Sequence, residues 1–259
     1  MNQPMAYVHP EAKIGENVVI DPFAMIHKNV EIGDGTWIGS NVTIMEGARI
    51  GKNCKIFPGA VIAAIPQDLK FQGEKSMVTI GDNTTIRECA TVNRGTSARG
   101  TTKVGSNCLL MAYSHVAHDC ELGDHVIIGN ATQIAGEVEI DDWAIISAAC
   151  GVHQFTRIGK HVMIQGLSGV GKDVPPYVTA GRNPIAYAGL NSVGLRRRNF
   201  PGEKINEIQE IYRAIYLRGM NTSDALVYIE ENLAQTAERD EILNFIRESK
   251  RGIIRGLLD

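Results

Sequence analysis

The chain has 259 residues, 26 Lys+Arg against 29 Asp+Glu, 44% hydrophobic and 21% charged residues, a globular composition long enough for one or two domains. A formal net charge of -3 at pH 7 gives no overall field to draw in a phosphate backbone or anionic lipid, so nucleic acid is not an expected partner. No apolar run approaches the roughly 20 residues that cross a bilayer, and Met1 to Lys13 has neither a basic n-region nor an apolar h-region, so a cytoplasmic chain without a transmembrane segment is expected.

From Val8 onward an aliphatic residue returns at every sixth position: Val8, Ile14, Ile20, Ile26, Ile32, Ile38, Ile44, Ile50, Ile56 and Ile62. The step lands on Asp68 and Glu74, resumes at Ile80, Ile86 and Val92, misses at Ala98, and runs unbroken from Val104 to Val170. Four residues after each aliphatic stands a small side chain, such as Ala24, Val42, Ala60, Ser114 or Thr132. Cys54, Cys108, Cys120 and Cys150 occupy this slot, so they read as small buried hydrophobes. The cysteines form no CxxC pair, which argues against a zinc ribbon or a disulfide framework. Gly or Asn often fills the second or fourth slot (Gly15, Asn17, Gly33, Gly51, Asn53, Gly81, Asn107), and both tolerate the positive φ that corners need.

One large and one small inward residue per hexad is the pattern of a parallel β-helix, predicted over residues 1–190. Periodicity leaves its hand open. The stretches 63–79 and 97–102 break the pattern and keep its phase, so they are predicted to be projecting loops, where solenoids carry function. After Pro175-Pro176 the pattern stops, and from Glu203 the spacing turns helical, with Ile205, Ile208, Ile211, Tyr212 and Ile215 on one face. Thr222 or Ser223 caps a second predicted helix through Leu233, and Arg239 to Lys250 forms a third. Residues 191–259 are therefore read as a C-terminal helical domain.

Several strings point further: IPQDLKF (Ile65 to Phe71), VNRGT (Val92 to Thr96), HVAHDC (His115 to Cys120), VHQF (Val152 to Phe155), DVPPYV (Asp173 to Val178) and GLRRRNF (Gly194 to Phe200). In this order, with the helical tail, they resemble the hexapeptide-repeat left-handed β-helix acyltransferases that act on UDP-N-acetylglucosamine. The resemblance covers essentially the whole chain. It implies a mainly β fold, a left-handed parallel β-helix with a C-terminal α-helical domain, assembled as a homotrimer. It also implies an activity: an (R)-3-hydroxyacyl chain moves from acyl carrier protein to the 3-hydroxyl of UDP-N-acetylglucosamine at the start of lipid A biosynthesis. The donor rides on the carrier protein's phosphopantetheine, with no other cofactor and no metal.

With three hexads per coil, residues 18 apart stack, so His118, Gly136 and Gln154 form one column. Read from the residues alone, an outward histidine on such a face is more often simply solvated. The resemblance makes His118 the general base, the Gly136 N–H the oxyanion contact and Gln154 part of the substrate path, with no covalent acyl-enzyme. It likewise implies that Asp119 orients the imidazole, that Asp68 and Lys70 contact sugar and phosphate, and that His115 and His153 line the cleft. Asn191, Arg197 and Arg198 resemble groups at the nucleotide end, although a basic run also suits the acidic carrier protein. Gly166 falls at the acyl-chain ruler position, and its missing side chain leads us to expect a donor of roughly 14 carbons or more.

Two positions depart from the family. Glu137 replaces a histidine, which is expected to set two carboxylates, Asp119 and Glu137, beside His118, unless Glu137 is a solvated surface residue; Val193 replaces a glutamate found in some members. The competing readings are a β-helical zinc carbonic anhydrase using His115, His118 and His153, another hexapeptide sugar acyltransferase, and a non-enzymatic scaffold. The zinc reading leaves the IPQDLKF loop, the helical tail and the arginine run unexplained.

Overall fold

The structure, a computed structural model, describes residues 5–256; the ends of the two predicted domains, 1–4 and 257–259, lie outside the described residues. Most strands are two or three residues long and build the three faces of a left-handed prism, each a parallel sheet. The first face runs from Tyr7–Val8 to Gly169–Val170, the second from Lys13–Ile14 to Arg157–Ile158, and the third from Val19–Ile20 through Met163–Ile164. Successive strands of a face pair in steps of 18 residues, as in Tyr7↔Met25, Leu109↔Ile127 and Glu121↔Glu139.

The step widens to 30 at Val61↔Thr91 and to 24 at Thr91↔His115. The two excursions thus add two hexads and one hexad, so the chain returns in phase. Around the first stretch the strands extend further than the six-residue count indicates, whereas the second loop begins and ends earlier than that count placed it. Val61–Ala64 and Met77–Ile80 confine the first loop to 65–76, and Thr91–Asn93 and Thr101–Val104 confine the second to 94–100.

Each turn of the prism closes over six inward side chains; in one coil these are Val126, Ile128, Thr132, Ile134, Val138 and Ile140, all at most 1% exposed. Burying each isoleucine contributes about 1.5–3 kcal/mol. The inward hydroxyl of Thr132 donates to the Ser147 carbonyl (2.7 Å) and accepts from the Cys150 N–H (3.1 Å), so polarity in this slot is satisfied coil to coil. Cys54, Cys108, Cys120 and Cys150 are buried in the same slot, and only Cys89 is exposed.

Between the first and last coils the fourth slot takes a left-handed backbone with very different residues in it, including Asn53 (φ 53°), Asp119 (φ 59°) and Trp143 (φ 63°). The second-slot glycines have a different reason, which corrects the expectation from sequence. Gly33 and Gly81 are not left-handed; a Cβ at Gly33 would lie 2.7 Å from the Gly51 carbonyl carbon, so glycine there lets neighbouring coils approach.

Beyond the last full coil, Val178–Gly181 joins the third face in parallel, and Ala186–Leu190 pairs with it antiparallel, an element the periodicity did not contain. Helices α1 (Ser192–Arg197), α2 (Gly202–Tyr216), α3 (Thr222–Asn232) and α4 (Ala237–Glu248) come next. Helix α2 buries the five residues read from its spacing. The caps lie earlier than predicted: Asn221, in place of Thr222 or Ser223, accepts from the Asp224 N–H, and Thr236 starts the last helix. Helix α1 carried no legible period because Leu195 is its one buried side chain. Tyr212 donates to the Pro176 carbonyl (2.5 Å), Lys160 pairs with Glu241 (3.1 Å) and Ser249 bonds Asp173 (2.6 Å), fixing the helices to the prism end. Among the described residues no helix is long and apolar enough to cross a membrane.

Candidate active site

The corner between the first and second faces carries the richest chemistry. His118 sits there, 8% exposed, at the edge of a groove of about 690 Å³ that runs along the first face. Its Nδ1 is 2.9 Å from Asp119 Oδ2. Asp119 is fully buried and accepts from the Thr96 N–H (3.0 Å to each oxygen), the Thr96 hydroxyl (2.6 Å) and the Arg99 N–H (3.1 Å). A carboxylate so surrounded by donors is an acceptor toward His118, which puts the imidazole proton on Nδ1 and leaves the Nε2 lone pair facing outward.

Stacking one coil on, Gly136 exposes that nitrogen. A Cβ there would lie 2.5 Å from His118 Nε2, so any side chain would press onto the ring. The Gly136 N–H has no acceptor among the described residues, whereas the Glu137 N–H beside it bonds the His118 carbonyl (3.0 Å). Gln154 stands next in the same column and donates to Glu137 Oε1 (3.4 Å). The expected column of His118, Gly136 and Gln154 is therefore formed within one chain.

The second carboxylate near His118 is Asp68, in place of the expected Glu137. Asp68 Oδ2 reaches within 3.9 Å of His118 Nε2 from the 65–76 loop, held by the Lys70 N–H to its other oxygen (2.9 Å). Glu137 takes a left-handed corner position (φ 58°) and lines a separate cleft with Arg99, Glu139 and Arg157 toward the second face. Lys70 itself is exposed and makes no ion pair among the described residues.

His115 lies on the groove floor with Nδ1 2.7 Å from the Thr91 hydroxyl; burial, and then the charge of His118, hold its pKa below the ordinary histidine value. His153 lines the other side and contacts the Gln154 carbonyl (3.0 Å). Past Gln133 the floor is made by Gly151 and Gly169, and a Cβ on either would meet nothing within 4 Å. The floor is bare because the sequence puts no side chain there.

The remaining predicted residues stand on other corners. Arg198 donates to the Trp143 carbonyl (3.1 Å) on the corner between the second and third faces, and Arg197 is exposed beside it. Asn191 is buried and committed locally, accepting from the Gly194 N–H and donating to the His161 carbonyl (2.8 Å) as the cap of α1. Gly166 lies on the corner between the third and first faces, where a Cβ would come 3.2 Å from the Ala148 carbonyl. One chain does not gather these residues around His118. Thr96, Arg99 and Thr102 were missed from sequence; their signal was the failed step at Ala98. Among the described residues no three His, Cys, Asp or Glu side chains group to hold a metal ion.

A hexad prism whose corner presents a carboxylate-held histidine over an open groove has the architecture of hexapeptide acyltransferases. The bacterial transferase hexapeptide family matches residues 11–36, 29–64 and 101–136, and domain 2 of the UDP-N-acetylglucosamine O-acyltransferase family matches residues 173–254. An acyl-[acyl-carrier-protein]–UDP-N-acetylglucosamine O-acyltransferase of Janthinobacterium sp. (strain Marseille) is 42% identical over 199 residues, 75% of this chain and 76% of that protein. The solved UDP-N-acetylglucosamine acyltransferase from Bacteroides fragilis superposes with a TM-score of 0.97 at 57% identity, covering 98% of this chain and 100% of that one. The Francisella novicida enzyme gives 0.95 at 42% identity, over 98% and 94%. The chain is thus an O-acyltransferase. It belongs to the acyl-[acyl-carrier-protein]–UDP-N-acetylglucosamine O-acyltransferase family.

Proposed function

We propose that the chain transfers an (R)-3-hydroxyacyl group from acyl carrier protein to the 3-hydroxyl of UDP-N-acetylglucosamine, the opening step of lipid A biosynthesis, in the cytoplasm and with His118 as general base. The observation that carries this reading is the His118–Asp119 bond of 2.9 Å, which leaves Nε2 facing a groove. Nε2 takes the proton of the sugar hydroxyl as its oxygen attacks the thioester carbonyl. The free Gly136 N–H donates to the oxyanion of the tetrahedral intermediate. The intermediate collapses to the ester and releases the phosphopantetheine thiolate, which recovers the proton from His118.

Asp68 and Lys70 orient the sugar from the loop, while His115, His153 and Gln154 line the approach. Direct transfer suits the local chemistry. The nearest thiol, Cys120, points inward, donates to the Ala135 carbonyl (3.0 Å) and is pushed up by burial to about 12, so it is no nucleophile at neutral pH. The distribution of residues over three corners supports a homotrimer, in which a neighbour's Asn191, Arg197 and Arg198 approach the nucleotide and Gly166 sets acyl length. Because Asn191 is tied up as a helix cap, its part is to place Arg197 and Arg198.

The test is an intact-mass assay with 3-hydroxyacyl carrier proteins of several lengths and UDP-N-acetylglucosamine. His118→Ala is expected to lower kcat by about 10²–10⁴-fold. Product formation that survives in His118→Ala would overturn the base assignment, and no product with any donor from folded wild-type protein would overturn the substrates.

A further inference from the structure

The second excursion of the chain, 94–100, interrupts the prism for a single hexad and reaches no wall of the groove along the first face. Its polar groups converge on one carboxylate. Asp119 is fully buried, and a buried charge is tolerated only where donors replace the water it has lost. Apart from His118, every group bonding its oxygens comes from this excursion: the Thr96 N–H, the Thr96 hydroxyl and the Arg99 N–H. The approach is close enough that Gly95 is required, since a Cβ there would lie 2.8 Å from Asp119 Oδ1 and 2.4 Å from the Thr101 nitrogen.

Among these donors the Thr96 hydroxyl is distinctive. It makes the shortest bond, 2.6 Å, and makes it to Oδ2, the oxygen that also receives His118 Nδ1 at 2.9 Å. Thr96 is itself 6% exposed, so no water competes freely for that oxygen. From the other side, the Thr102 hydroxyl accepts the backbone N–H of Asp119 (2.8 Å) and fixes the residue carrying the carboxylate.

We propose that Thr96 is the positioning residue of this site: its hydroxyl locks the Asp119 carboxylate in the rotamer that aims Oδ2 at His118, and the 94–100 excursion exists to deliver it. The inference rests on the reading of His118 as general base. Thr96 acts through Asp119 and touches neither substrate. Removing the hydroxyl takes away the shortest bond to Oδ2 and leaves that oxygen with the longer Thr96 N–H contact (3.0 Å) and His118, which loosens the imidazole and slows proton transfer while leaving the groove intact.

The experiment compares Thr96→Val, Thr96→Ser and Asp119→Asn, singly and with Thr96→Val combined with Asp119→Asn, using the intact-mass assay and thermal melts. Thr96→Val is expected to lower kcat about 10–100-fold with KM for both substrates unchanged, the scale of one lost bond to a charged group. Thr96→Ser is expected to restore kcat, and Thr96→Val is expected to add nothing in the Asp119→Asn background. Wild-type kcat in Thr96→Val, a change confined to KM, a loss that adds in full to Asp119→Asn, or a serine variant as slow as valine would each overturn the proposal. Should the valine variant fail to fold, Thr96→Ala against Thr96→Ser makes the same comparison. His118→Ala separates the two levels: full activity there removes the base reading, whereas an inactive His118→Ala beside an unimpaired Thr96→Val removes only the role of Thr96.

Discussion

Along the second face the outward column reads Lys13, Glu31, Arg49, Thr79, Lys103, Glu121, Glu139 and Arg157, and opposite charges meet from coil to coil: Lys13–Glu31 at 2.8 Å, Lys103–Glu121 at 3.2 Å, Arg157–Glu139 at 3.4 Å. Along the first face the corresponding column is Met25, Thr43, Val61, Thr91, His115, Gln133, Gly151 and Gly169, with no acidic residue, lysine or arginine. Both faces rest on equivalent columns of inward aliphatics, Ile134 in one and Ile140 in the other. The repeat therefore specifies the prism from inside and leaves the outside free. One face uses that freedom for a solvated ladder of ion pairs and the other for a groove. His118 stands on the corner between them, where a bare floor meets a charged wall.

If the inner columns are equivalent, Ile134→Ala under the first face and Ile140→Ala under the second should each cost about 2–5 kcal/mol of stability. Urea denaturation measures both, and strongly unequal losses would break the comparison. The groove claim is sharper. Gly151→Leu adds a side chain where nothing lies within 4 Å, so stability should hold while kcat/KM for long acyl donors falls about tenfold or more. Gly166→Met should instead shift the preferred donor toward shorter chains, and an unchanged chain-length profile in both variants would remove the acyl path from these positions. The smallest effect belongs to the ladder. Glu139→Gln removes the partner of Arg99 (2.6 Å) and Arg157 at a partly exposed site, and should cost at most about 1 kcal/mol, less at high salt, with kcat unchanged.

The prism was legible because burial repeats with the chain: each sixth residue faces the same interior, so one pattern announces every coil. The column His118, Gly136 and Gln154 was legible for the same reason, as simple addition of 18 to a residue number. The features that escaped lie where the chain leaves the period. Asp68 reaches His118 from a loop whose path no spacing predicts, and Glu137, one residue beyond Gly136, turns at a left-handed corner toward the second face. Thr96 lies in a recognisable string, yet its bond to Asp119 comes from the fold of a single hexad out of register. Asn221 was passed over as a cap for a smaller reason, since the run Asn-Thr-Ser offers three capping side chains and only backbone geometry chooses among them, and the last helix was started at Arg239, three residues past its cap Thr236.

Both excursions measure whole hexads, two in the first and one in the second. The coils fix their length residue by residue, and the excursions are the places where the chain is free of that count. A residue added within a coil would shift the next inward aliphatic off its column, whereas one added within an excursion only lengthens a loop and leaves Val116, Ile128 and Ile134 inside. The scaffold thus works like a text read in a set frame inside its coils, with its margins, the two excursions, free to carry new groups beside an old site.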